Sequence, residues 1–224
     1  MEDAPLLNMT VRAAEPSDIH FLADIMYQSM LPGVGRGIFD VALGESGVDP
    51  ITFHEALLRT GANNWGQLES FLVVQDPQGR RAGATGAYLS SAQDLRPLTA
   101  EGLDRVSKFL NWPAATTRDF WKKYVSVFGL FGNAPQLAQP AEYVLEYSAV
   151  KPEFRGRGVY GILLEAHANK ARALGFKTLG GTAMIGNETV FRSKLKFGFR
   201  EHARFGSEYY GGVYPGLVRM IFDL

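Results

Sequence analysis

The sequence predicts an α/β fold: a mixed β-sheet covered by helices, with a helical insertion between the third and fourth strands. Three observations predict it. Short β-type runs alternate along the chain with segments whose apolar residues recur at helical spacing. Hydrophobic residues make up 46% of the 224 and charged residues 21%, enough apolar material for one substantial core. No internal repeat, low-complexity stretch or linker interrupts the chain, so residues 1–224 read as a single domain.

The elements follow in order. Met9 to Ala13 reads as a strand. Pro16-Ser17-Asp18 then opens a helix over residues 16–31, with Ser17 and Asp18 suited to capping it and Ile19, Leu22, Ile25 and Met26 on one stripe. The glycine-rich run Leu31 to Gly37 breaks that helix, and shorter helical stretches follow at Ile38 to Leu43 and Thr52 to Arg59. Ser70 to Gln75 and Ala82 to Ser90 are strands joined by Asp76-Pro77-Gln78-Gly79, a strong turn signal.

Residues 93–140 are too long for a structureless loop, and two helices are expected there, at Thr99 to Leu110 and Ala115 to Phe128. Phe120, Tyr124 and Phe128 give the second an apolar face, which predicts packing on the domain; a wall over a pocket or a homodimer contact are the alternatives. Glu142 to Lys151 is a strand, Gly158 to Leu174 a helix stopped by Gly175, Lys177 to Ala183 a strand, and Asn187 to Lys196 a short helix. Two strands, Arg200 to Tyr209 and Leu217 to Leu224, close the chain.

Composition excludes several function classes. Twenty-three basic residues cancel 23 acidic ones, so no basic footprint for nucleic acid shows at the whole-chain level. With no cysteine there are no disulfides, thiolate metal sites or cysteine nucleophiles, which fits a reducing, cytoplasmic setting. Met1-Glu2-Asp3-Ala4-Pro5 does not read as a secretory signal, and no apolar run is long enough to span a membrane. His20, His54, His167 and His202 form no ligand-spaced pair, so no metal is expected.

The strongest chemical signal is a strand, a glycine-rich turn and a helix in succession. Tyr147 to Val150 is the strand, Arg155-Gly156-Arg157-Gly158 the turn, and Val159-Tyr160-Gly161 the first helical residues. Glycines expose consecutive N–H groups, the helix N-terminus favours negative charge, and Arg155 and Arg157 add donors for phosphate oxygens. The segment lacks the Lys-Ser/Thr of a P-loop. Gly156, Gly158 and Gly161 spell G-x-G-x-x-G, but Pro152 to Arg155 separates them from the strand and the next strand carries no acidic residue for a ribose, so the dinucleotide reading fails on context.

The run Ala149 to Gly158 resembles the acyl-CoA-binding motif of the GNAT superfamily of N-acetyltransferases, whose Arg/Gln-x-x-Gly-x-Gly/Ala core maps onto Arg155, Gly158 and Tyr160. Tyr160 departs from the usual Gly or Ala, although Gly161 follows it. Asn187 to Phe199 resembles the family's later helix and its terminating Gly-Phe. The resemblance implies a splayed sheet and acetyl-CoA as co-substrate, its thioester carbonyl accepting an N–H from Ala149 or Val150 and its pyrophosphate resting on residues 157–161. Asn187 would touch the pantetheine arm or cap its helix.

Amine acylation needs a base for the amine and an acid for the departing thiolate. Glu146 and Ser148, two apart on a strand, are expected on one face, with Glu146 as base and Ser148 against the substrate. Lys194 stands where the family commonly has a Tyr. Its unperturbed pKa of ~10.4 is close to tyrosine's ~10, so a lysine can replace that acid, although a solvated surface lysine is the plainer expectation. Tyr209 is the other candidate acid. Tyr210, and Arg36 in the loop that borders the acceptor site in this fold, are the remaining substrate contacts. The expected reaction moves an acetyl group from acetyl-CoA to a primary amine of a small molecule or peptide; a non-catalytic acyl-CoA sensor is the alternative.

Overall fold

The computed structural model describes residues 8–31, 33–90 and 95–224. Met1 to Pro5, Pro32 and Gln93, the expected start of the insertion, lie outside the described residues. Seven strands form one sheet: β1 (Thr10–Ala13), β2 (Leu72–Gln75), β3 (Arg81–Leu89), β4 (Tyr143–Val150), β5 (Thr178–Met184), β6 (Arg200–Phe205) and β7 (Leu217–Asp223). Their order is β1-β2-β3-β4-β5-β7-β6, and only β4 and β5 run parallel.

The helices are α1 (Ile19–Met30), α2 (Asp40–Leu43), α3 (Pro50–Thr60), α4 (Ala100–Phe109), α5 (Ala114–Phe128), α6 (Val159–Ala173) and α7 (Glu188–Phe197). They agree closely with the periodicity. The entry to α1 differs: Glu15 caps the leading turn, while Asp18 is fully buried and held by Arg12 and Arg81 at 2.6 and 2.7 Å. The predicted strand Arg200 to Tyr209 stops at Phe205, and a 3-10 turn takes Ser207–Tyr210.

One irregularity in β4 positions everything that follows. β4 pairs with β5 only at Tyr143↔Leu179, Val144↔Gly180 and Leu145↔Gly181; beyond Leu145 the two strands part. On the other side Gly86 pairs with Glu146 and Ala84 with Ala149, so one β3 residue faces two on β4, a bulge that bends the strand. Tyr147 takes the strain with φ 54°. Its ring is buried with the α1–α3 core and its hydroxyl donates to Asn63 Oδ1 at 3.3 Å, anchoring a backbone conformation unfavourable for a bulky residue.

The sheet separates two packed layers. On one side α1, α3 and the insertion enclose a core containing Leu22, Phe39, Phe53, Phe71, Phe120, Tyr124, Phe128 and Phe131. On the other, α6 covers β2 to β5 through residues such as Leu163, Leu164 and Ala168. The aromatic face of α5 packs inward as expected, with Tyr124 Oη donating to the Leu98 carbonyl at 3.0 Å. Among the described residues no helix is long and apolar enough to cross a membrane.

Candidate active site

The parting of β4 from β5 opens a cleft of about 810 Å³ between the end of β4, the first turn of α6 and the side of α7. Its lining includes Ser148, Ala149, Val150, Arg155, Gly156, Gly158, Val159, Tyr160, Gly161 and Asn187, most of the residues the motif reading selected. Gly156 and Gly158 have φ +73° and +76°, a left-handed pair that turns the backbone into α6. A Cβ on Gly156 or Gly161 would meet nothing within 4 Å, so the cradle has room for a phosphate group, and the first N–H groups of α6 have no side-chain cap.

Backbone alternation distinguishes the two expected thioester donors. Lys151 donates its N–H to the Ala82 carbonyl at 2.9 Å, so Ala149 is also turned toward β3 while the Val150 N–H and C=O point away from it. The Val150 carbonyl accepts from Arg155 Nε at 3.1 Å, leaving its N–H for the cleft. Arg157 does not line the cleft; its guanidinium lies over the Phe154 ring at 5.7 Å. Asn187 caps α7, accepting from the Val190 N–H at 3.2 Å, and lines the cleft as well.

At its inner end the cleft meets a chamber of about 50 Å³ lined by Glu146, Lys194 and Arg219 among apolar walls that include Met30, Ile38, Trp65 and Tyr210. Lys194 is not a surface residue. It is 1% exposed, its ammonium donates to the Thr182 carbonyl at 2.7 Å and lies 5.9 Å from the Phe199 ring centre. Gly181 makes this possible, because a Cβ there would stand 2.7 Å from Lys194 Nζ. Arg219 donates to Thr182 Oγ1 at 2.8 Å and to the Leu137 carbonyl at 2.9 Å; Gln139, from the insertion, donates to Tyr88 Oη at 2.9 Å.

Burial decides the electrostatics. Loss of solvent pushes Lys194 down to about 8, with Arg219 lowering it further and the Glu146 carboxylate holding it up. The same burial raises Glu146 above the usual carboxylate range, opposed by Lys194, Arg219 and Thr182. Both groups are thus displaced toward neutral pH, where each can exchange a proton.

Several expectations need correction. Glu146 and Ser148 both line the chamber despite the bulge between them; Glu146 faces Lys194 and Arg219, and Ser148 also neighbours the buried Tyr160 hydroxyl. Tyr209 lines neither cavity and receives a 3.3 Å hydrogen bond from Gln136; Tyr210 is the buried tyrosine of the pair and lines the chamber. Arg36 is exposed and lines neither cavity, although its loop does cross the site, with Gly33 packed on the Gly186 backbone. Arg219, Thr182, Tyr88 and Gln139 were not anticipated. An arginine inside the apolar run Leu217-Val218-Arg219-Met220-Ile221 was the one signal for them.

Solved structures share this architecture. An N-acetyltransferase from Staphylococcus aureus Mu50 is 15% identical, with 95% of this chain and 100% of that chain covered at a TM-score of 0.57. The spermidine N-acetyltransferase from Vibrio cholerae, in complex with CoA and spermine, is 15% identical over 96% of this chain and 95% of its own, at 0.52. The chain has the GNAT acetyltransferase fold. An agmatine N-acetyltransferase, 13% identical, gives 97% and 100% coverage at 0.57. No protein-family model and no curated protein matches the sequence. Within the GNAT fold, the splayed strands, the glycine turn and the α7 cap lie where the sequence resemblance implied. Among the described residues no cluster of His, Asp and Glu could hold a metal ion.

Proposed function

We propose that the protein transfers an acetyl group from acetyl-CoA to a primary amine of a small molecule. The observation that carries this reading is the junction of an open cleft of about 810 Å³ with a buried Glu146–Lys194–Arg219 cluster. Acetyl-CoA, when bound, supplies a thioester whose C–S bond breaks as the amine nitrogen forms the new C–N bond. The turn at Arg155 to Gly161 holds the pyrophosphate through its N–H groups, and the Val150 N–H steadies the developing oxyanion. Glu146 takes the proton that the attacking nitrogen sheds. Lys194 gives a proton to the departing sulfur, replacing the family's tyrosine. Asn187 and Ser148, shared by both cavities, orient the pantetheine arm. The chamber's small volume favours a small molecule over a peptide as acceptor.

Calorimetric titration with acetyl-CoA and a thiol-release assay over a panel of amines test this proposal. The expected result is saturable binding and CoA release dependent on an amine. Failure to bind at millimolar acetyl-CoA would overturn it.

A further inference from the structure

The acceptor chamber carries its own selectivity. Among the described residues lining it, the charged groups are Glu146 on β4, Lys194 on α7 and Arg219 on β7: two cations against one carboxylate. With Lys194 protonated at neutral pH, the chamber holds a net positive charge. A second ammonium on an acceptor would find no acid to pair with, since Glu146 is already faced by both cations.

Arg219 points to what the acceptor carries instead. Two of its guanidinium nitrogens are occupied, by Thr182 Oγ1 and the Leu137 carbonyl, but its Nε is buried and makes no hydrogen bond. A buried charged donor without an acceptor costs about 1–3 kcal/mol or more, and an anionic oxygen beside the guanidinium, which borders the chamber, would offset part of that cost. Size adds a separate limit. At roughly 10–15 Å³ per water-sized occupant, about 50 Å³ holds on the order of three to five such groups, which favours a compact acceptor. Much of the remaining wall is apolar, with Met30, Ile38, Trp65 and Leu217 among its residues, and among the described residues no further charged group lines it.

We infer that the acceptor is a compact aminocarboxylate, its carboxylate held at Arg219 and its amine presented to Glu146. The inference rests on the acetyl-transfer reading above. It assigns to this chain an acceptor class unlike the polyamine and agmatine named for the similar structures.

The test compares glycine and β-alanine with glycinamide, which keeps the size and amine but lacks the anion, and with spermidine. Acetyl-CoA and the wild-type protein are used in the thiol-release assay. The expected result is a kcat/KM for the aminocarboxylates at least tenfold above glycinamide, with no turnover of spermidine. Arg219→Gln should bring that ratio near one by raising KM for the aminocarboxylates alone. If the variant does not fold, the wild-type ratio still decides. Preference for glycinamide or spermidine, or binding of acetyl-CoA with no transfer to any aminocarboxylate, overturns this inference and leaves the donor site standing. Absence of acetyl-CoA binding overturns both.

Discussion

The proposed donor cleft and acceptor chamber adjoin at Ser29, Ser148, Asn187 and Val190, yet they are built in opposite ways. The cleft is largely a backbone device, drawn mostly from two contiguous stretches, residues 148–164 and 187–197, and shaped by glycines and helix ends. The chamber is a side-chain device. It gathers residues from α1, the loop after it, β4, β5, α7, the 3-10 turn after β6, and β7, and buries three charges among them. A backbone site tolerates many side chains and binds a common cofactor. A buried charge cluster tolerates few, and its substitution should change chemistry rather than affinity. Four measurements can break or sharpen that contrast.

The largest effect is expected at Glu146. Glu146→Gln removes the base at nearly constant volume, and kcat should fall about 10²- to 10⁴-fold. The dissociation constant for acetyl-CoA should stay within about twofold, because the carboxylate is absent from the cleft lining. An unchanged kcat would remove Glu146 as base, and a large loss of acetyl-CoA affinity would show that the two cavities are one unit.

Lys194 comes next. A donor must be protonated, so with its pKa pushed down to about 8 the wild-type kcat should decline above pH 8. Lys194→Met should lower kcat about 10- to 100-fold at neutral pH and abolish that alkaline limb. A limb that persists in the variant belongs to another group.

The contrast also explains what the sequence could reveal. The donor cleft was legible because its determinants are local: Arg155, Gly158 and Asn187 act through neighbours a few residues away. Tyr147 was not, because its left-handed φ comes from a register shift against β3, which no period-two reading of β4 contains. Lys194 was expected either to replace the family's acid or to lie on the surface; what lets it be buried is the missing side chain at Gly181, thirteen residues earlier on β5. The Gly180-Gly181 pair inside a strand was the available clue to close approach. Tyr209 and Tyr210 are adjacent, and only the 3-10 turn decides which of them enters the core.

Acid stability compares the two layers beneath these sites. His54, on α3, lies in the core on one side of the sheet and His167, on α6, lies on the other, and burial pushes both down to about 4. His167 donates from Nε2 to the Thr85 carbonyl and pairs through Nδ1 with Tyr143 Oη, each at 3.0 Å, and burial favours the neutral ring. Since the unfolded chain titrates near 6.5, it binds more protons than the native state between pH 6.5 and 4, and stability falls on acidification through that window. Denaturant unfolding at pH 6.5 and 4.5 should show each histidine contributing about 2 kcal/mol of the loss. His54→Phe should remove one share. Resonances assigned to His54 or His167 that titrate near 6.5 in the native protein would contradict the burial of that ring.

The smallest effect is the most discriminating for a backbone site. Gly158→Ala puts a Cβ on a residue at φ +76°, at a cost of about 1–2 kcal/mol, relieved either by lost stability or by a shifted turn. The dissociation constant for acetyl-CoA should rise about 5- to 10-fold with kcat at saturation unchanged. Gly161→Ala is its counterpart. Gly161 lies within α6, outside the left-handed region and with open space around a new Cβ, so alanine there should stabilise the free protein by about 0.5–1 kcal/mol. The same methyl would stand in the cradle proposed for the cofactor. A variant that melts higher yet binds acetyl-CoA more weakly would show that the glycine serves the ligand and not the fold, whereas tighter binding would place the pyrophosphate elsewhere.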